Sequence, residues 1–428
     1  MNRFKHIIFG VLIVSIWLPF AQMIFQVLDL GGLKGAFVPH TKPKLTDSTW
    51  LSGDFQKAYE TYLNDTIGFH QYFVRLRNQI DYGLFNKCHS YDIEVGKNGY
   101  LIATSHLDFH LGKNYMRTSR IDSLVSMLKD VNDAFSKLNK TLLVVFAPSR
   151  GAFYKELAPS WYDITAQHES DYQRYIRLLS GSKVNHIDFN RSFLLEKNKS
   201  KYPLFTKCGI HWSLYGAAMA ADSMVKFIEK VRNEDLPDIS VARIKESFTA
   251  RGSDADLNST LNLLWPVRNN KMAYPKFAFN KKDKKRLKLL TIGDSFYYTL
   301  LESKIPDEVF AEQSFWYYNT SITSNGPSAS KKTSEINFME EVNRHDVVVL
   351  IGTEITIGSL GWSFIDHAWT KYCSFNARLE YYINLIKNDP AWFEQVKQKA
   401  DQYNKGLDIQ LEQDANWWVQ QEKLNKKN

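Results

Sequence analysis

Three runs of apolar, β-forming residues set the architecture: Thr141 to Ala147, Leu287 to Ile292 and Asp346 to Ile351. They are rich in Val, Ile and Leu, too short for helices, and closed by Pro148, Gly293 and Gly352. Runs of this kind read as strands buried on both faces. Helical patterns separate them. Arg120 to Leu138 places Ile121, Leu124, Val125, Leu128, Val131 and Phe135 on one stripe. Ser170 to Leu179 and Leu214 to Val231 also read as helices, and Val184 to Phe189 as a short strand. Strands alternating with helices predict an α/β fold, a parallel sheet flanked by helices, with its functional groups at the strands' carboxyl ends.

The second run ends in Gly293-Asp294-Ser295, and Phe296 to Leu301 then reads as helical. A strand, a tight turn and a helix are the layout that exposes a serine nucleophile. Gly293 allows a close backbone, and nearby N–H groups would face a developing oxyanion. An ordinary turn is the competing reading of so short a motif. Upstream, Cys208-Gly209-Ile210-His211-Trp212-Ser213 stands just before a helix. Histidine suits the base that a serine needs near neutral pH, and members of a triad occur in any chain order. Cys208, three residues before His211, leaves a Cys-His pair open beside the reading of a small buried cysteine.

Gly-Asp-Ser-Phe after a strand, with His211-Trp212 and then Tyr215-Gly216-Ala217 upstream, resembles the SGNH hydrolase-like proteins related to alginate O-acetyltransferases. Val145 to Arg150 and Phe153 to Pro159 resemble the family's strand with a basic pair and its following Pro-containing run. Gly96 to Leu101 is similar to its strand pair ahead of the catalytic domain, and the resemblance covers roughly residues 90 to 370. It implies the SGNH fold in permuted order, histidine before serine, with Ser295 and His211 as the catalytic pair. It also implies an O-acyltransferase, most simply an O-acetyltransferase, acting on an extracytoplasmic bacterial polysaccharide. The acyl group would come from a multi-pass membrane acyltransferase. A carbohydrate acetylesterase of the same fold and a non-catalytic polysaccharide-binding or assembly protein are the alternatives.

The chain departs from the family at one position. The family usually carries Asp-x-His-Trp, and here Gly209 replaces that Asp. Asp254 and Asp256, in Asp254-Ala-Asp256-Leu-Asn258, or Glu354, after the third run, are the candidates to orient His211. For the two aspartates a helix cap is the favoured reading. Arg150, Trp212 and Asn319 are candidate substrate or oxyanion groups: Trp212 by stacking on a sugar, Asn319 through a side-chain amide after the strand Val309 to Tyr318. A core tryptophan and a turn asparagine are the plainer readings. Asp188 ends its strand and is either structural or faces the site.

The first residues fix the compartment. Ile7 to Leu28 is uncharged and mostly apolar, follows Arg3, Lys5 and His6, and contains Pro19. It is long enough to span a bilayer and lacks an A-x-A site after it. It reads as an uncleaved single-pass signal anchor in a bacterial inner membrane, a cleaved signal peptide being the alternative. The basic flank places the main domain in the periplasm. Residues 31 to 90 read as a juxtamembrane linker and helical lead-in, 91 to 375 as the catalytic domain, and 376 to 428 as a polar helical tail. Within the lead-in, Trp50 to Leu84 reads as helix broken near Gly68. Phe55, Tyr59, Tyr62, Leu63, Phe69, Phe73, Leu76 and Ile80 form a face expected to be core. Ile383 to Lys399 and Ile409 to Leu424 read as tail helices.

The net charge of +8 is concentrated partly in Lys281 to Arg286 and Lys426-Lys427. It reads as solvated surface, or as attraction to an acidic glycan or lipid headgroups. Nucleic-acid signatures are missing, three cysteines are too few for a disulfide framework, no metal-ligand spacing is visible, and no cofactor is expected.

Overall fold

The computed structural model describes residues 2–29, 31–35, 40–323 and 331–425. Eleven strands are described. A short antiparallel pair, β1 (Ile93–Val95) and β2 (Leu101–Ala103), precedes the main sheet. The main sheet contains β3 (Thr141–Phe146), β4 (Asn185–Asp188), β7 (Lys288–Gly293), β8 (Glu312–Tyr317), β9 (Ser321–Thr323), β10 (Lys331–Lys332) and β11 (Val347–Gly352). A separate antiparallel ribbon joins β5 (Asp238–Ser247) to β6 (Met272–Asn280).

The sheet order is β10-β9-β8-β7-β11-β3-β4. The five strands from β8 to β4 are parallel, and β9 and β10 add an antiparallel edge. The last strand in sequence, β11, fills the centre, between β7 and β3. All residues of β3 and β11 are buried, as their unbroken apolar sequences predict. One face of the sheet packs through Leu143, Val145, Leu289, Val349 and Ile351 against helix Leu214–Arg232 and its neighbours. The other packs through Val144, Phe146, Ile292 and Leu350 against helices Thr118–Lys137 and Phe364–Tyr372. The predicted stripe from Ile121 to Phe135 is buried there, each such side chain contributing about 1.5–3 kcal/mol.

This layering brings the carboxyl ends of β7, β11 and β3 side by side. Gly293 is required where β7 meets β11: a Cβ would stand 2.3 Å from Ile351 Cγ2 and 3.0 Å from its carbonyl oxygen. The first helix, Asn2–Phe25, includes Pro19 and is long and apolar enough to cross a membrane.

Two expectations are corrected. The lead-in is helical and broken at Ile67–Phe69, as helices Asp47–Ser52, Asp54–Thr66 and His70–Phe85. Its aromatic face is not core, however: Phe73 and Ile80 are exposed, and Asn78 is the buried residue of its last helix. The segment expected to be one helix from Ile383 to Lys399 is two, Phe375–Asn388 and Pro390–Gln402, because Asp389 caps the second and Pro390 opens it. The β5–β6 ribbon was not anticipated, since β5 is mostly exposed and charged and lacks an apolar alternation.

Of the basic stretch, Lys281 pairs with Glu308 and Lys284 with Asp235 and Asp238, while Arg286 donates to the Val309 and Phe310 carbonyls. Lys426-Lys427, and residues 36–39 of the juxtamembrane linker, lie outside the described residues.

Candidate active site

Ser295 stands at the turn from β7 into helix Phe296–Glu302. Asp294 fixes that turn. Its Oδ1 accepts from the Phe296 N–H, and its Oδ2 accepts from the Thr353 N–H and hydroxyl and from the Thr356 hydroxyl. One buried carboxylate thus ties the serine turn to the loop after β11. The motif alone assigns Asp294 no role; a carboxylate between a glycine and a serine is its one signal in the sequence.

His211 comes to Ser295 from a loop 84 residues upstream. Its Nε2 lies 2.9 Å from Ser295 Oγ, and its ring packs on Phe296 at 4.7 Å between centroids. On the other side its Nδ1 is 2.5 Å from Asp256 Oδ2. Asp256 is itself held, its Oδ1 accepting from the N–H groups of Ile210 and Leu257. Serine, histidine and carboxylate form one hydrogen-bonded chain, in which Nδ1–H donates to Asp256 and Nε2 is left to accept from the serine hydroxyl.

The carboxylate on His211 is therefore Asp256, against the favoured reading of it as a helix cap. Asp254 caps instead, but a distant helix: its Oδ1 accepts from the Leu214 N–H at the start of Leu214–Arg232. Burial pushes its carboxyl up to about 6. Glu354 reaches Asn190 and His110 rather than His211.

The backbone explains why position 209 carries no acid. A Cβ on Gly209 would stand 2.7 Å from Thr206 Oγ1, 2.9 Å from the Ser253 carbonyl oxygen and 3.1 Å from that of Asp254. The His211 loop is pressed against the segment that supplies Asp256. Thr206 Oγ1 donates to the Asp254 carbonyl, and the Asn258 N–H donates to the Cys208 carbonyl. The close contact that brings Asp256 to the histidine leaves no space for a side chain at 209.

The remaining candidates are placed as follows. Arg150 is 1 % exposed, and its guanidinium donates to the carbonyls of Leu101, Thr206 and Lys207. It braces the His211 loop from beneath and does not reach for substrate. Trp212 is fully buried among Phe189, Phe193 and Phe296, its indole N–H donating to the Phe296 carbonyl. It is a core residue and does not stack on a sugar. Asn319 has a positive φ of 52° and donates its amide to the Trp362 carbonyl, which is the turn reading. Asp188 is structural: it accepts from the Tyr172 hydroxyl and caps the helix that follows. Cys208 is buried and its thiol is pushed up to about 11 by burial, so it stays protonated. His106, also buried, is pulled down to about 4, burial being the main cause. Among the described residues no cluster of His, Cys, Asp and Glu has the arrangement of a metal site.

Beside the turn, a cleft of about 760 Å³ is bordered by Phe109, Tyr115, Tyr318 and Trp362. Thr356, whose hydroxyl bonds Asp294, lies on its wall. Sequence reading did not gather these aromatic residues, because they come from three segments far apart in the chain.

Residues 93–290 match a family described as the SGNH hydrolase-like domain of the acetyltransferase AlgX. That match covers just under half of the chain. The probable alginate O-acetylase AlgJ of Azotobacter vinelandii is 22 % identical over 237 residues, 55 % of this chain. The chain spans 58 % of that relative's length. Among solved structures, the O-acetyltransferase domain of Pseudomonas putida AlgJ is similar at a TM-score of 0.41 and 13 % identity, covering 62 % of this chain and 92 % of that one. Pseudomonas aeruginosa AlgX is similar at 0.42 and 12 % identity, covering 68 % and 69 %. The matched segment includes His211 and Asp256 and ends three residues before Gly293, so the serine turn lies just past it.

Proposed function

We propose that this protein is a membrane-anchored O-acyltransferase, in the first instance an O-acetyltransferase, that modifies an extracytoplasmic bacterial polysaccharide through an acyl-Ser295 intermediate. The observation that carries this reading is the Ser295–His211–Asp256 chain at the carboxyl end of β7, in an SGNH hydrolase-like domain. The relatives' printed activities agree with it.

In the first half-reaction His211 Nε2 takes the Ser295 hydroxyl proton as Oγ bonds to the donor's acyl carbon. The imidazolium then gives that proton to the donor's leaving oxygen as its bond to the acyl carbon breaks. In the second half a sugar hydroxyl loses its proton to Nε2 and attacks the acyl-serine, and the proton returns to Ser295 Oγ as it leaves. Asp256 holds Nδ1–H and stabilises the imidazolium in both halves. The Ser295 N–H is the oxyanion donor proposed for this chain; Asn319 is engaged with Trp362.

The aromatic cleft supports a sugar acceptor, since Tyr and Trp offer flat apolar faces with polar rims. The N-terminal helix supports a single-pass anchor in the inner membrane, and the acyl donor is delivered on the periplasmic side by a multi-pass membrane acyltransferase. The test is a donor acetyl ester with the full chain in detergent, with and without oligosaccharide acceptors. Acetylated sugar in place of free acetate is the expected result. Release of acetate alone with every acceptor would make the protein an esterase.

A further inference from the structure

The lead-in helix His70–Phe85 presents its apolar face away from the protein. Phe73, Ile80 and Leu84, at spacings of seven and four, share one side and are 50 %, 46 % and 73 % exposed. The opposite side docks on the catalytic domain: Asn78 is buried and donates to the Leu261 carbonyl, and Tyr82 packs with Cys208 and Leu261. A helix on a water-facing surface has the reverse order, apolar inward and polar outward. Trp50 and Leu51, on the short helix Asp47–Ser52, and Ile67, in the turn before His70, are also exposed.

The N-terminal helix indicates what covers this face. The turn before His70 is seated directly on it: a Cβ on Gly68 would stand 2.1 Å from the Pro19 carbonyl oxygen and 2.7 Å from Gln22 Cβ and Met23 N. Arg75 Nη2 donates to the carbonyls of Gly31 and Gly32, so the residues after the span are tied to the same lead-in helix. Pro19 stands six residues before the helix end at Phe25, which is about 9 Å along the axis. The apolar helix has 23 residues, and a hydrocarbon core of about 30 Å takes about 20 of them. Gly68 thereby meets the span about 5–9 Å inside the outer edge of the hydrocarbon, the depth to which an interfacial helix buries its apolar face.

We propose that the lead-in helix His70–Phe85 and the turn before it lie in the periplasmic interface of the bilayer that the N-terminal helix spans, with Phe73, Ile80 and Leu84 against lipid chains. The inference rests on the reading of that helix as a membrane span and goes beyond the transferase reading. Apolar side chains on one face of an interfacial helix bind by the area they bury, and Arg77 at the edge of the stripe has a long stem with which to reach the headgroups. The catalytic domain would then be held at a set height and orientation above the membrane.

The test places photoreactive benzoylphenylalanine, one position at a time, at Leu12, Phe73, Ile80 or Leu138 of the full chain in the expressing bacterium's membranes. Adducts are identified by mass. Leu12 lies in the span, and Leu138 is exposed at the amino end of β3. Phospholipid adducts at 12, 73 and 80, at least about fivefold above those at 138, are expected. Lipid adducts at 12 without any at 73 and 80 would overturn the interfacial placement and leave the anchor standing. Protein adducts at 73 and 80 would overturn it in favour of a docked protein. No lipid adduct at 12 would remove the anchor itself and the inference with it. None of these outcomes depends on whether Ser295 is acylated.

Discussion

Asp256 accepts from His211 Nδ1 while two backbone N–H groups hold its other oxygen, so its replacement should disturb chemistry more than folding. Asp256→Asn removes the charge and permits the wrong histidine tautomer; turnover of an acetyl ester should fall by about 10²–10⁴-fold with unfolding little changed. Glu354→Gln, made beside it, should stay within about threefold, since Glu354 does not touch His211. Gly209→Asp puts an acid two residues before the histidine, but it should lower stability by about 1–3 kcal/mol and fail to rescue Asp256→Asn, because its Cβ meets Thr206 and two carbonyls. Asp254 provides a pH signature. Its folded value of about 6 lies above the ordinary 3.8, so between these values the folded state binds more protons. Its contribution is complete below about pH 4 and is lost as pH rises through 6. Thermal unfolding of wild type should therefore lose ground to Asp254→Asn between pH 4 and pH 7, by up to about 3 kcal/mol. The sequence was legible for Ser295 and His211, whose motifs are local. It was not legible for choosing among three carboxylates, because that choice depends on how the loop before His211 packs against the segment after Arg251.

Among the elements, the strands were the most legible. β3, β7 and β11 are continuous apolar runs, and double-sided burial leaves such a run no other place. The β5–β6 ribbon and the break at Pro390 were harder, the first because β5 faces water along most of its length, the second because an apolar helical period continues across it. The serine turn depends on Asp294, which accepts one hydrogen bond within the turn and three from the loop after β11. Asp294→Ala leaves those donors unpaired in a buried place; a loss of about 2–4 kcal/mol in urea unfolding is expected, with a fall in the rate of Ser295 acylation as the turn loosens.

Across the whole molecule, the sheet gathers residues that sequence order scatters, and the aromatic cleft beside Thr356 is the clearest case. Tyr115→Ala should raise the KM for an oligosaccharide acceptor by about tenfold while leaving the rate of Ser295 acylation unchanged. A role confined to packing would move both or neither. The lead-in's aromatic stripe was visible in sequence, but its direction was not: periodicity shows that a helix has an apolar face and does not show whether protein or lipid lies against it. The account rests most directly on covalent chemistry at one atom. The decisive measurement is intact-mass and peptide analysis of the full chain after brief exposure to a chromogenic acetyl ester, with Ser295→Ala, His211→Ala and Asp256→Asn alongside. The account predicts one acetyl group on Ser295 in wild type, none at that site in Ser295→Ala, and slowed formation in the other two. An unmodified Ser295 in folded wild-type protein, or acetylation that proceeds equally well without His211, would contradict it.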